Sequence, residues 1–329
     1  MLVTIILASV LLMIVAGVAF CFARYLPIIT NLFMNITIRR VRGEHEPLVG
    51  ETVTFGTSDG VMLTGTLTPA SAGRPDAPVV VFCHEFTSNR HSATKYGWFL
   101  EKAGFRVFSF DFRGHGESGS LAGYTPRQWI TEHEMCDLRA AIRYLRSRRD
   151  TGRSAIGLFG VSRGAVTAIV VAERDDAVAG VVSDSAFSTS HTLFAYMRRW
   201  APIFVDSRLL VLSAPDVLFS VFRWLAARLA EHRLGVRFTQ VMPAIRRLRK
   251  PVFLLHGECD TYISSDQARM LHKAAAEPKE LWIVPGADHN RAVELQPDEY
   301  ARRIVDFLRT SMRVNPPVRD GHVDALTRT

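Results

Sequence analysis

The chain has 329 residues, 48% of them hydrophobic, with 40 basic and 32 acidic side chains and a formal net charge of +8. That apolar content excludes a disordered chain, and the length allows one large domain or two. Four cysteines (Cys21, Cys83, Cys136, Cys259) form no CxxC or CxxxC pair, which argues against a disulfide framework and a cysteine zinc cluster but leaves the redox compartment open.

Residues 1–23 hold no charged side chain and are long enough, at about 1.5 Å per residue, to cross a bilayer. Two readings stand. Gly17-Val18-Ala19 resembles a small-residue cleavage site, so the segment could be a signal peptide whose removal leaves an exported domain. No positive n-region precedes it, however, and the nearest charges follow it at Arg24, Arg39, Arg40 and Arg42. That asymmetry favours an uncleaved single-pass anchor with the following domain on the cytoplasmic side. Residues 24–49 read as a membrane-proximal linker, apolar from Tyr25 to Ile38 but broken by Pro27, Thr30 and Asn31.

From residue 50 strands and helices alternate. Val53 to Thr57 and Met62 to Thr68 read as an antiparallel pair around the turn Ser58-Asp59-Gly60. Pro78 to Cys83 and Arg106 to Phe110 are continuous apolar runs, suited to strands buried on both faces, with a helical stretch from Ser92 to Ala103 between them. Thr125-Pro126 reads as the cap of a helix reaching about Arg148, followed by a strand at Ala155 to Gly160, a helix at Gly164 to Ala172 and a strand at Val178 to Asp184. After an interruption the pattern resumes with strands at Val252 to His256 and Leu281 to Pro285 and helices near Asp266 to Ala276 and Pro297 to Met312. This order predicts an α/β fold, a doubly wound, mostly parallel sheet with one insertion. Residues 313–329 read as a flexible tail.

Gly160-Val161-Ser162-Arg163-Gly164 fits G-x-S-x-G and lies between an apolar strand and an alanine-rich helix. A strand that turns at once into a helix strains its middle residue and exposes the side chain, so its flanks must be small. A serine hydroxyl needs a base, itself oriented by an acid. Asp260, in Leu255-His256-Gly257-Glu258-Cys259-Asp260, and His289, in Pro285-Gly286-Ala287-Asp288-His289-Asn290, each follow a strand. The carboxyl ends of parallel strands meet at one edge, so Ser162, Asp260 and His289 can converge. Asp184 is a rival acid, but Asp260 is favoured because its spacing to His289 fits one intervening helix.

Here the chain resembles the α/β-hydrolase family, over roughly residues 50–312. The Ser162 elbow and the Asp260 and His289 loops look like that family's nucleophile, acid and base, and Asp111-Phe112-Arg113-Gly114-His115-Gly116-Glu117-Ser118 resembles its D-x-R-G-H-G-x-S segment. With Cys83-His84-Glu85-Phe86-Thr87-Ser88, the style is most similar to bacterial esterase-like or serine-peptidase-like members. The resemblance implies hydrolysis of an ester, thioester or amide through an acyl-enzyme, without metal or cofactor. It also implies oxyanion donors in the backbone amides of Phe86 and Arg163. His84-Glu85 replaces the common His-Gly and resembles the dienelactone hydrolases; both residues are expected to shape the site. Glu85 would repel an anionic intermediate, bond Arg163 or the Ser162 hydroxyl, or turn to solvent.

Two other patterns are set aside. Gly114-His115-Gly116-Glu117-Ser118-Gly119 matches G-x-G-x-x-G, but Gly123 to Pro126 delay the next helix, so no helix N-terminus meets a pyrophosphate. His133-Glu134-Met135-Cys136-Asp137 reads as a solvated helix face rather than a ligand set.

The family resemblance places a cap at the interruption, about residues 188–250. Ser213, Ala214, Pro215 and Asp216 read as a helix start with Ser213 as cap, and Gly235 as its stop; Leu218, Val221, Phe222, Leu225 and Leu229 form an apolar stripe between them. That face either packs over the core or, with Phe194, Tyr196, Trp200, Phe204 and Trp224, lines an acyl pocket. Ser188 to Lys250 carries eleven basic side chains against three acidic ones, so the net charge of the whole chain sits there. Such a cap suits anionic lipid headgroups rather than nucleic acid. The expected partners are therefore an apolar acyl ester and a membrane.

Overall fold

The computed structural model describes residues 1–35, 45–70, 77–205 and 208–313. In chain order they form α1 (Leu2–Asn35), β1 (Glu51–Gly56), β2 (Met62–Leu67), β3 (Val79–Cys83), α2 (Ala93–Tyr96), β4 (Arg106–Phe110), α3 (Glu132–Ser147), β5 (Ile156–Val161), α4 (Arg163–Ala172) and β6 (Val178–Asp184). Then follow α5 (Thr189–Phe204), α6 (Arg208–Ser213), α7 (Asp216–Leu234), α8 (Val241–Arg247), β7 (Val252–Gly257), α9 (Asp266–Ala274), β8 (Lys279–Val284), α10 (Ala292–Leu295) and α11 (Pro297–Ser311). The chain divides into two compact units, Met1–Ile36 with Ser190–Phe238, and Thr37–Thr189 with Thr239–Thr329.

The larger unit is an α/β fold around an eight-stranded sheet of order β1-β2-β4-β3-β5-β6-β7-β8. β1 pairs antiparallel with β2, and β2 with β4; every other pairing is parallel. Strands β3 and β5 are buried at every position, which is why their sequences are continuous apolar runs rather than alternating ones. From β3 the chain steps outward to β4, then returns past β3 to β5, so the direction of winding reverses between β3 and β5. Ligands of open α/β sheets bind beyond the carboxyl ends at such a reversal. One face carries a core of Phe82, Phe159, Val182 and Phe253 packed with Tyr300, Ile304 and Leu308 of α11.

Two expected helices differ. The stretch from Ser92 to Ala103 is helical only to Tyr96, and turns then lead to Gly104 at φ 90°. α3 starts at Glu132, not at Thr125-Pro126. Thr131 is its N-cap and forms a capping box with Glu134, which leaves two helical donors satisfied by side chains.

The smaller unit holds α1, α5, α6 and α7. α1 is one helix through Pro27 to Asn35, so the stretch expected as a linker from residue 24 to 49 is helical over nearly its first half. Pro27 loses one backbone donor, and packing along α7 carries the helix onward: the Phe22 and Phe222 rings stack at 4.0 Å, and Phe33 meets Phe238 edge-on at 4.8 Å. Arg39, Arg40 and Arg42 lie outside the described residues, as does the tail beyond Arg313. The N-cap of α7 is Pro215, not Ser213, which ends α6; Gly235 at φ 63° closes α7 as expected. Its buried face is Phe219, Phe222, Ala226 and Ala230, one position off the expected stripe, and Val221 and Trp224 are exposed. α8, expected in the cap, belongs to the larger unit.

Candidate active site

Ser162 follows β5 and heads α4 at φ 51°, ψ −112°, a conformation side chains rarely adopt, held by its N–H donating to Asp184 O at 2.7 Å. The elbow explains both glycines of its motif. A Cβ on Gly160 would stand 2.4 Å from Gly164 O, and one on Gly164 would stand 2.0 Å from Cys83 O. The second approach presses the turn after β3 against the start of α4, where helical amides are unpaired.

The loops after β7 and β8 meet by the same device. A Cβ on Gly257 would strike Ala287 O at 2.5 Å, and Cys259 N–H donates to Ala287 O at 2.8 Å. His289 sits beyond this contact, its N–H on Asp288 Oδ1 at 2.8 Å, with Asn290 at φ 57° completing the turn. The structure brings Ser162 Oγ to 3.2 Å from His289 Nε2, and His289 Nδ1 to 2.5 Å from Asp260 Oδ2. Asp260 Oδ1 accepts the N–H groups of Tyr262 (2.9 Å) and Ile263 (2.8 Å). Burial raises the Asp260 pKa, but hydrogen bonds from His256 and His289 outweigh it and hold the carboxyl well below the usual range.

His256 was missed by sequence reasoning. Fully buried at the end of β7, it points Nε2 at Asp260 Oδ2 (2.9 Å) and Ile263 O (2.8 Å), so that nitrogen carries the proton. Asp260 is thus held by histidines from both sides. Asp184, the rival acid, is occupied elsewhere: Ser185 Oγ and the Tyr300 hydroxyl donate to it, each at 2.8 Å, and burial pushes its pKa up. Tyr262, exposed, lies 5.9 Å ring to ring from His289.

The turn after β3 is braced by two neutral histidines. Phe112 N–H donates to His84 Nε2 at 3.2 Å, so His84 carries its proton on Nδ1 and donates to Glu85 O at 2.6 Å. His115 Nε2 lies 2.8 Å from Phe86 O. Burial drives both imidazoles down to about 3. The glycine-rich stretch wraps an acid instead of opening to a phosphate. Asp111 accepts from Arg90 N–H (2.6 Å) and Glu117 N–H (2.9 Å), and a Cβ on Gly116 would lie 2.2 Å from its Oδ2.

Glu85 bonds neither Arg163 nor the Ser162 hydroxyl, and it does not turn fully to solvent. It is half-buried and accepts the Ser92 hydroxyl at 3.1 Å, and burial raises its pKa. Arg163 is paired instead with Glu134 at 2.5 Å, both side chains buried, its guanidinium 5.5 Å from the centre of the Phe86 ring and 5.7 Å from that of Phe112. Tyr124 donates its hydroxyl to Glu134. The face read as solvated is therefore buried at Glu134 and Asp137, and Asp137 holds Arg113 at 2.7 Å. The T-x-x-E capping box at 131–134 was readable; the distant arginines were not. Among the described residues no group of three or more His, Cys, Asp or Glu side chains could hold a metal ion.

A profile described as "Alpha/beta hydrolase family" matches residues 80–303. The chain belongs to this family. The hydrolase is 26% identical over 307 residues to the Escherichia coli K12 protein YfhR, covering 92% of this chain and 95% of that one. A thiohydrolase of Aspergillus aculeatus is 33% identical over 133 residues, 40% of each chain. Among solved structures, an esterase of Pyrococcus furiosus is similar at a TM-score of 0.62 and 26% identity, covering 84% of this chain and all of the esterase. Family and neighbours together support a hydrolytic function.

Proposed function

We propose that the chain is a serine hydrolase that cleaves a carboxylic ester or thioester with an apolar acyl group, and amides less readily, through an acyl-enzyme. The observation that carries this reading is the hydrogen-bonded series from Ser162 through His289 to Asp260, hung on three strand ends. Ser162 Oγ adds to the carbonyl carbon as its proton passes to His289 Nε2. Asp260, ionised, keeps His289 Nδ1–H oriented and stabilises the imidazolium. The backbone amides of Phe86 and Arg163 donate to the oxyanion. The carbonyl C–O or C–S bond then breaks as His289 returns the proton to the leaving alkoxide or thiolate. Water attacks the acyl-enzyme with His289 again as base, which releases the acid and restores Ser162. His84, through its bonds to the 84–86 turn, shapes this site; Glu85 acts only from its edge. The esterase and thiohydrolase among the similar proteins support an ester or thioester over a peptide.

In this reading α1 is a retained single-pass anchor with the hydrolase on the cytoplasmic side, and the basic cap meets anionic headgroups. Support comes from α1 itself, which continues past Gly17-Val18-Ala19 and packs on α7. Intact mass of the chain purified from membranes decides this: loss of about the first 19 residues, a length expected of signal peptides, would mean export. Fluorophosphonate labelling tests the chemistry, with an adduct expected on the parent chain and none on Ser162→Ala. No Ser162-dependent adduct would leave a non-catalytic scaffold that binds lipid or protein through its cap.

A further inference from the structure

The smaller unit contains a cavity of about 640 Å³. Its walls are Tyr25, Ile29 and Phe33 of α1 facing Tyr196, Trp200 and Phe222 of the cap helices. Among the described residues no charged side chain lines it, and hydroxyls come from Tyr25, Tyr196 and Ser213. Phe194 and Trp224, expected on such a pocket, are not among its lining residues. Protein interiors are close-packed, with few voids larger than water, and a carbon-lined space offers water few partners. The volume instead falls in the span of ligand sites, about 300–1,000 Å³.

α1 says what the ligand is. From Met1 to Val15 it is uncharged, and its large side chains are exposed, so this half faces hydrocarbon in a bilayer. From Cys21 onward one face of the same helix turns half-buried or buried and becomes the cavity wall, while Ala23, Arg24, Pro27 and Asn31 stay exposed on the other. Gly17 stands where one half passes into the other; it lines the cavity, and a Cβ built on it meets nothing within 4 Å. Apolar surface therefore runs into the cavity along one face of one helix, without a charged side chain on the wall among the described residues.

We propose that this cavity binds one linear acyl chain, supplied sideways from a bilayer phospholipid, so that α1 is the wall of a lipid site as well as a tether. The proposal shares the membrane reading of α1 but stands apart from the chemistry at Ser162, and binding is measured in the Ser162→Ala chain to keep the two separable. The full-length chain is reconstituted in vesicles of phosphatidylcholine and phosphatidylglycerol carrying a phospholipid with a mid-chain diazirine, and crosslinked peptides are mapped. Crosslinks are expected on residues 21–33 and 193–222. They should fall at least tenfold in Ala201→Trp and in Gly17→Phe, which fill the space from opposite walls, while crosslinks to the exposed segment 2–15 stay unchanged and report intact insertion. Crosslinks confined to 2–15, or undiminished in both filled variants, would overturn the site. In a second arm, free diazirine palmitate labelling the same wall residues tenfold more strongly than the phospholipid would overturn the bilayer source.

Discussion

The two units of this chain bury side chains by opposite rules. In the hydrolase unit the interior is charged wherever the site needs precision: Arg163 on Glu134, Arg113 on Asp137, Arg90 on Asp111, each partner buried. An unpaired buried charge costs several kcal/mol, so each pair tolerates little displacement, and the turn and elbow they flank inherit that rigidity. In the helical unit large apolar side chains lie on both the outside and the inside. Ile203, Leu212, Val217 and Trp224 are exposed, and the interior holds an apolar cavity. Catalysis asks for fixed polar geometry, whereas a surface that meets hydrocarbon asks only for apolarity and room.

The largest effect that separates the units is Ser162→Ala, expected to lower kcat about 10⁴-fold or more while leaving acyl-chain crosslinking intact. Loss of both together would erase the distinction. Next comes Glu134→Ala, which strands the buried Arg163 charge and should cost about 3–5 kcal/mol in urea unfolding of the hydrolase unit. Double replacement by Arg163→Met and Glu134→Leu should recover much of that loss, and a surface-like cost under 1 kcal/mol would refute the burial argument.

Acid should act most strongly on the hydrolase unit. His84 and His115 are held near 3 when folded but titrate near 6.5 when unfolded. Between those values the unfolded chain binds more protons, so stability is full above the unfolded pKa and falls as pH drops. From pH 7 to 5 the expected loss is up to about 2 kcal/mol for each of these two histidines, and His115→Asn should make the slope shallower by its own share. A pH-independent urea midpoint over that range would contradict it.

The smallest expected effect is at His256. Removing its hydrogen bond to Asp260 should lower kcat about 10- to 100-fold in His256→Ala with KM unchanged, and His256→Gln, which keeps a donor, should recover most of it. A change in KM alone would place His256 outside the positioning of Asp260.

Much of the fold was legible because it is written in short range. Continuous apolar runs marked β3 to β7, and G-x-S-x-G marked an elbow whose glycines have no space for a Cβ. The order Ser162, Asp260, His289 was legible because each follows a strand, and parallel strands end at one edge. α3 was misplaced because Thr125-Pro126 competed with a better cap six residues on, where Glu134 reaches back to Thr131.

What the amino-acid order determined by itself is therefore what local sterics and periodicity encode: the alternation, the elbow, the apolar first helix and the charge of the cap. Only the tertiary structure decided that Arg163 meets Glu134 rather than Glu85, that His256 holds Asp260, and that α1 runs on past Ala23 to wall a cavity. Arg163 and Glu134 stand 29 positions apart, and His256 and Asp260, only four apart, meet because the loop after β7 folds back on its strand. Which of several acids an arginine meets depends on sheet order and loop approach at the ångström scale, and no pattern along the chain carries that distance.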